Sequence, residues 1–330
     1  MIKMVKLIKK WSISSQIISD TAKEMWYDVE VINESKNLFI VKNKDKEVLF
    51  KSTDCGINSS LALKLCDDKE LTYNILWKNL IRIAESIYLN KNNLADFHIE
   101  KSNLNFPLVV KPLDLWHWDG VYTEIKDENE LNIAIENCLK FSDNIIVQEH
   151  IYGDEHRILV IWNEVVFGAR RINAHVIGNE KNTIKELIEK ENTSSLRWDG
   201  YDKPMSLIKI DNKLINYIRK YYDYTIDSIP EEWEEIVLRG VSNVWAGGTI
   251  QNVTDELWIE FKEECIKIAK ILWLDIAWID IITSDLSKPL SKSKWIVLEV
   301  WATPWFGGYK ETTGINPARH LLNFVFRKWD

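Results

Sequence analysis

Glycine is scarce in this chain: 12 residues in 330, about half the usual share of roughly 7%. Cysteine is scarcer, with Cys55, Cys66, Cys138 and Cys265 scattered and no CxxC spacing among them. Cys138 and Cys265 fall on apolar helical faces, so they read as reduced core residues of a cytosolic protein. No apolar run is long enough for a signal peptide or a membrane span, and a cytoplasmic protein without a membrane partner is expected. Net charge is −8 with Lys and Arg spread along the whole length, which leaves no basic face for nucleic acid. There is no internal repeat and no low-complexity tail. A chain of this length buries a large core and divides into subdomains.

What is abundant is tryptophan, 16 residues. Many stand where backbone physics asks for glycine. Trp26 follows the amphipathic stretch Ile17, Ile18, Ala22, Met25 and precedes Tyr27, which makes it the C′ residue of a helix, where the chain turns left-handed. Trp273 repeats this after Cys265, Ile268, Ala269 and Leu272. Trp162-Asn163 separates two apolar runs where a two-residue hairpin wants Gly-Asn. Trp116 and Trp118 bracket His117 in a polar loop. The expectation is that most of these positions are glycine in the working protein, through a UGA codon that the host reads as glycine. A truly Trp-rich protein, such as a carbohydrate binder, is the alternative. Trp329, with no turn to make, is the best candidate for a genuine indole.

Periodicity predicts a helix over 14–25, strands over 28–33, 37–42 and 46–51, and short helices around Ser59–Cys66 and Lys69–Leu76. Strand 107–111, strand 121–125, helix 128–140 and strand 144–149 follow, the helix opened by Asp127 with Glu130 in a capping-box pattern. A hairpin over 156–171 leads into a mixed segment to about 235. Helix 255–272, strands 275–283 and 295–300 and helix 316–327 close the chain.

The chemistry concentrates in three places. The apolar strand Pro107-Leu108-Val109-Val110 delivers Lys111 to a loop ending at Gly120. With glycine at 116 and 118, the amides of that loop could cradle phosphate. Asp280 lies within Leu274–Ile282, and Glu299 within Ile296–Val300, both apolar strands. Acids there are costly unless paired or on a metal, so two of them suggest a hard cation such as Mg²⁺ between carboxylates and phosphates. A buried pair neutralised by arginine is the bland alternative.

These segments, with Asn58–Ala62, Asp68–Thr72, VVKPLD, Gln148–Arg157, ARRINAHVIG at 169–178, Thr183–Ile188, Leu238-Arg239, Gly247-Gly248-Thr249, Val253–Asp255, LDIAWIDIIT and LEVWATPW, come in an order that resembles the ATP-grasp ligases. The resemblance is closest to the ATP-grasp module of cyanophycin synthetase-like proteins and covers about 55–327. It implies an α+β (α/β) ATP-grasp fold: two α+β subdomains gripping ATP, 61–150 bearing the lid and 151–330 the metal and substrate. A short α/β segment, 1–60, precedes them. Residues matching Trp118, Trp233, Trp273, Trp278 and Trp305 are typically Gly in the family.

Carried over position by position, Lys69 and Lys111 look like the ATP-phosphate lysines, and His117, Trp118 and Gly120 like parts of the mobile phosphate cover. Glu149, His150 and Ile151 resemble the linker that meets adenine, and Glu155 the ribose ligand. Arg157, Arg171 and Arg239 match arginines that stabilise the transferred phosphate. Asp280 and Glu299 match Mg²⁺ ligands, with Mn²⁺ as a substitute. The third ligand in the family is usually Asn at the place of Trp301, and neither Trp nor Gly offers a side-chain oxygen there. The implied activity is ATP-dependent joining of a carboxylate to an amine through an acyl phosphate. The substrates would be amino acids or short peptides, and the enzyme could be a homo-oligomer. A glutathione synthetase-like or D-alanine–D-alanine ligase-like choice of substrate is the related alternative, and an ATP-binding pseudoenzyme the alternative of another class.

Overall fold

The computed structural model describes residues 11–113, 120–198 and 205–328, so Trp116, His117, Trp118 and Trp329 lie outside the described residues. The chain opens with α1 (Ile13–Glu24), capped by the Ser12 hydroxyl accepting from the Ser15 N–H. The antiparallel meander β1 (Asp28–Asn33), β2 (Leu38–Asn43) and β3 (Lys46–Lys51) follows. Alternation along β2 and β3 sends Phe39, Val41 and Phe50 inward, where they are fully buried.

Next come α2 (Ser60–Asp67) and α3 (Lys69–Lys78), each started by a side-chain cap, from Ser59 and Asp68. β4 (Ser86–Asn90), β5 (Leu108–Pro112), β6 (Tyr122–Ile125), α4 (Glu128–Cys138) and β7 (Asn144–Glu149) form a four-stranded sheet in the order β4-β7-β5-β6. Helix α4 covers it with Leu131, Ala134, Ile135 and Cys138. Asp127 caps α4, but Glu130 reaches the Lys126 N–H and not that of Asp127. The full capping box of the described residues is Thr183 with Glu186.

The rest of the chain is β8 (Asp154–Ile161), β9 (Glu164–Ile172), β10 (His175–Ile177), α5 (Ile184–Glu191), β11 (Arg197–Trp198), β12 (Met205–Ser206), α6 (Asn212–Tyr222), β13 (Glu235–Val237), β14 (Thr249–Asn252), α7 (Ile259–Ile271), β15 (Ile276–Thr283), β16 (Trp295–Trp301), α8 (Tyr309–Thr313) and α9 (Pro317–Lys328). Five of these strands pair antiparallel in the order β14-β9-β8-β15-β16. One face of that sheet packs Ile158, Val160, Ala277, Ile279 and Ile281 against α3 and α7. The other packs Leu159, Ile161, Ile276 and Trp278 with α1, α9 and the N-terminal meander. Residues 11–60 therefore share a core with the C-terminal half. Asn58 fastens this junction: its amide donates to the carbonyls of Ile276 and Ala302 and accepts from the N–H groups of Asp275 and Ile276.

Among the described residues of the large sheet, several buried side-chain atoms have no hydrogen-bond partner, and one such group is a histidine. His156 on β8 is 1% exposed, and neither ring nitrogen makes a hydrogen bond. Burial first, and the Arg170 cation second, push it down to about 4. It is neutral in the fold, whereas the unfolded chain takes up a proton near 6.5. Its contribution to stability is therefore present at neutral pH and lost as pH falls from about 6.5 to about 4, on the order of 3 kcal/mol over that window. Urea unfolding at pH 7 and pH 4.5 checks this. His156→Phe should flatten the acid-side slope by close to one proton; an unchanged slope contradicts it.

Candidate nucleotide and metal site

A cleft of about 920 Å³ opens between the four-stranded sheet and one end of the five-stranded sheet, and the 150–153 linker crosses its edge. Lys111 enters it from the end of β5. Its side chain is buried, and among the described residues no acidic group pairs with its Nζ. Burial pushes its pKa down; Glu299 opposes that shift and Lys69 adds to it. A buried cation without an anion costs free energy until an anion arrives. Lys69, at the start of α3, donates to the Leu113 carbonyl at 3.3 Å and lies 3.5 Å from Glu299 Oε1.

Strand register assembles the opposite wall. Arg157 on β8 stands directly across from Asp280 on β15, and Asp280 directly across from Glu299 on β16. A bulge at Leu298 follows, because Ile281 pairs with Val297. The Leu298 carbonyl accepts from the Tyr73 hydroxyl of α3 at 2.6 Å, so the helix that carries Lys69 is pinned to the strand that carries Glu299. Bulges recur beside active sites because they re-aim a side chain. Arg157 grips Asp280 bidentately at 2.7 and 2.6 Å. Burial raises the Asp280 carboxyl, but the Arg157 charge and hydrogen bonds, Arg171 and the Trp301 indole N–H outweigh it and hold the group below the usual carboxylate range. Arg157 is correspondingly raised. One strand further, Arg171 pairs with Glu155 across β9 and β8, and the Ser242 hydroxyl donates to the other oxygen of the same carboxylate.

A RimK-like ATP-grasp domain model matches residues 66–185. A cyanophycin synthetase of Trichormus variabilis is 36% identical over 246 residues, 74% of this chain and 27% of that protein. The glutathione biosynthesis bifunctional protein GshAB of Clostridium perfringens is 26% identical over 96% of this chain and 39% of its own length. Among solved structures, a bifunctional glutathione synthetase from Pasteurella multocida superposes with a TM-score of 0.73, covering 97% of this chain and 44% of that one, at 20% identity. The chain has the ATP-grasp fold. It spans about a quarter of the length of the cyanophycin synthetases that it matches.

Within this ATP-grasp cleft the described structure gathers Lys69, Lys111, Glu149, His150, Ile151, Glu155, Arg157, Arg171, Glu299 and Trp301 on the lining, with Asp280 held behind Arg157. Arg239 is not brought in: its guanidinium donates to the Lys209 carbonyl and to Asp211 at the start of α6. Gly120 lies behind the cleft, not on its lining, at φ +80°, where a Cβ would come within 3.0 Å of Pro112 and 3.1 Å of Phe141. The Glu149 carboxylate is taken by the Asn105 backbone and side-chain N–H groups, both at 3.0 Å. Sequence reasoning missed two lining residues. Gln148 has a buried Oε1 without a partner, and Ser242 anchors Glu155. A polar residue ending the buried run Ile145–Val147 was the available signal for the first.

The residues present fit a magnesium–nucleotide complex. Mg²⁺ is commonly held by one or two carboxylates together with substrate phosphates, and the opposed pair Asp280 and Glu299 would offer the carboxylates beside a buried lysine without an acidic partner among the described residues. Position 301 adds no oxygen, since an indole is a donor only. Among the described residues no three His, Cys, Asp or Glu converge on one point. A second ion would therefore depend on phosphate and water.

The Arg157–Asp280 pair gives a direct stability prediction. Arg157→Met leaves a buried carboxylate unpaired and should cost about 3–5 kcal/mol in urea unfolding. Arg157→Met with Asp280→Leu should recover most of that loss. A double variant as unstable as the single one contradicts the assignment.

Proposed function

We propose that this chain is an ATP-dependent carboxylate–amine ligase acting on an amino acid or short peptide. The observation that carries the reading is the row Arg157–Asp280–Glu299 facing, across the cleft, a buried Lys111 that has no acidic partner among the described residues. Such a site has no need of a serine or cysteine nucleophile. It works by positioning and by electrostatic stabilisation of a phosphoryl group in flight.

Each residue then has a task. Lys111 and Lys69 neutralise phosphate oxygens, and Lys111 gains the anion its burial lacks. Asp280 and Glu299 offer oxygens to Mg²⁺, which when bound screens phosphate charge. Arg157 and Arg171 trade their resident carboxylates for the oxygens of the phosphate and of the substrate carboxylate. Glu155, oriented by Ser242, accepts from the ribose hydroxyls. The substrate carboxylate takes the terminal phosphoryl group, an amine displaces phosphate from the resulting acyl phosphate, and amide, ADP and phosphate leave. The names of the similar proteins, cyanophycin synthetase and a glutathione-forming enzyme, support amino acids or short peptides as the substrate class.

Trp301 favours a second reading, nucleotide binding without turnover, because the position supplies no metal ligand. ADP release from Mg·ATP, measured across a panel of amino acids and short peptides, separates the two. The ligase reading expects at least one carboxylate–amine pair to raise release well above the ATP-only rate. ATP binding with no amine-dependent release across the panel supports the second reading instead.

A further inference from the structure

Four tryptophans hold the left-handed backbone region: Trp26 at φ 63°, Trp162 at 55°, Trp233 at 67° and Trp273 at 54°. A bulky side chain there is an outlier, because the Cβ crowds the neighbouring carbonyl. Each occupies a motif whose geometry asks for glycine. At the end of α1, the Tyr27 N–H bonds to the Ala22 carbonyl and the Trp26 N–H to the Lys23 carbonyl. At the end of α7, Leu274 and Trp273 make the same bonds to Ala269 and Lys270. Both are complete Schellman motifs with tryptophan at C′. Trp162 is the first residue of the two-residue loop between paired Ile161 and Glu164, where the hairpin turns take Gly or Asn. Trp233 is the third residue of the turn closed by the Glu234 N–H on the Glu231 carbonyl, the place where a type II turn requires φ above zero.

None of the four rings offsets that strain by burial. They are 95%, 58%, 80% and 67% exposed in chain order. Tryptophan supplies four of the 11 non-glycine residues with positive φ among those described, whereas its share of the chain would place fewer than one there. Leu80 fills the C′ position of α3 at φ 59°, so one bulky residue in such a place carries little; the coincidence of four does. The inference does not extend to every indole. Trp11 stacks on Phe39 at 5.2 Å and Trp295 lies 5.5 Å below the Arg82 guanidinium, neither with positive φ. Trp278, whose counterpart in the family is typically Gly, is buried between Phe167 and Tyr309, also without positive φ.

We propose that the cell that makes this protein inserts glycine at positions 26, 162, 233 and 273, by reading UGA as glycine. The inference stands on backbone geometry and is independent of the ligase reading. It bears on the cleft all the same, because Trp245, Trp301 and Trp305 line it and the codon at each sets the room available there. The test is peptide mass spectrometry of the protein purified from its native cells. Glycine at all four positions is the expected result; tryptophan at any one of them overturns the proposal. An independent arm compares the chain with its Trp26→Gly/Trp162→Gly/Trp233→Gly/Trp273→Gly variant. Relief of four left-handed strains should raise Tm by several degrees, and an equal or lower Tm contradicts the claim that these turns require glycine.

Discussion

The site depends on strand register. Arg157, Asp280 and Glu299 lie on adjacent strands of one antiparallel sheet, and only the observed pairing of β8, β15 and β16 places them in one row. A slip of one residue would turn Asp280 into the apolar layer under α7, where no cation waits. Several contacts protect the register. Asn58 bridges the start of β15 to the Ala302 carbonyl, Tyr73 fills the carbonyl freed by the bulge at Leu298, and the buried Arg157–Asp280 pair closes the row. The same ion pair that specifies the sheet keeps the acid ionised and available.

Charge in the cleft is arranged so that the resident partners can be exchanged. Asp280 is held by Arg157, Glu155 by Arg171 and Ser242, and Glu299 faces Lys69. Among the described residues, Lys111 is the one of these cations that has burial without an acidic partner. A polyanion carrying a divalent cation would satisfy the set at once, with Asp280 and Glu299 as the carboxylates that would hold the metal and Lys69, Lys111, Arg157 and Arg171 as the cations that would meet the phosphates.

The strong elements were legible from periodicity: α1, the meander, α4 and the strands carrying Lys111, Asp280 and Glu299 all lie within a residue or two of their expected bounds. Strand β4 was not, since Ser86–Asn90 is short, half-buried and made a strand by pairing with β7. Helices α5 and α6 hid in the mixed segment for a related reason. Their cores are completed by β10 and β13, strands of three residues each that carry little pattern of their own. For the site, residue type and context singled out Lys69, Lys111 and Glu299, which the fold brings to one cleft, and the neutralisation of a buried acid by arginine, weighed as the bland alternative, is present at Asp280. That Arg239 would stand off the cleft lining was not legible, because its partner, Asp211, lies 28 residues away and only the fold brings the two together.

On the proposed reading, Lys111 is placed to meet phosphate beside a carboxylate pair that would hold Mg²⁺. Calorimetric titration of ATP, with Mg²⁺ and with EDTA, into the protein and its Lys111→Met variant tests it most directly. Binding should be strengthened by Mg²⁺ and weakened about 10–100-fold by Lys111→Met, the loss that goes with one charge-assisted phosphate contact. Metal-independent affinity that survives Lys111→Met unchanged would contradict the account.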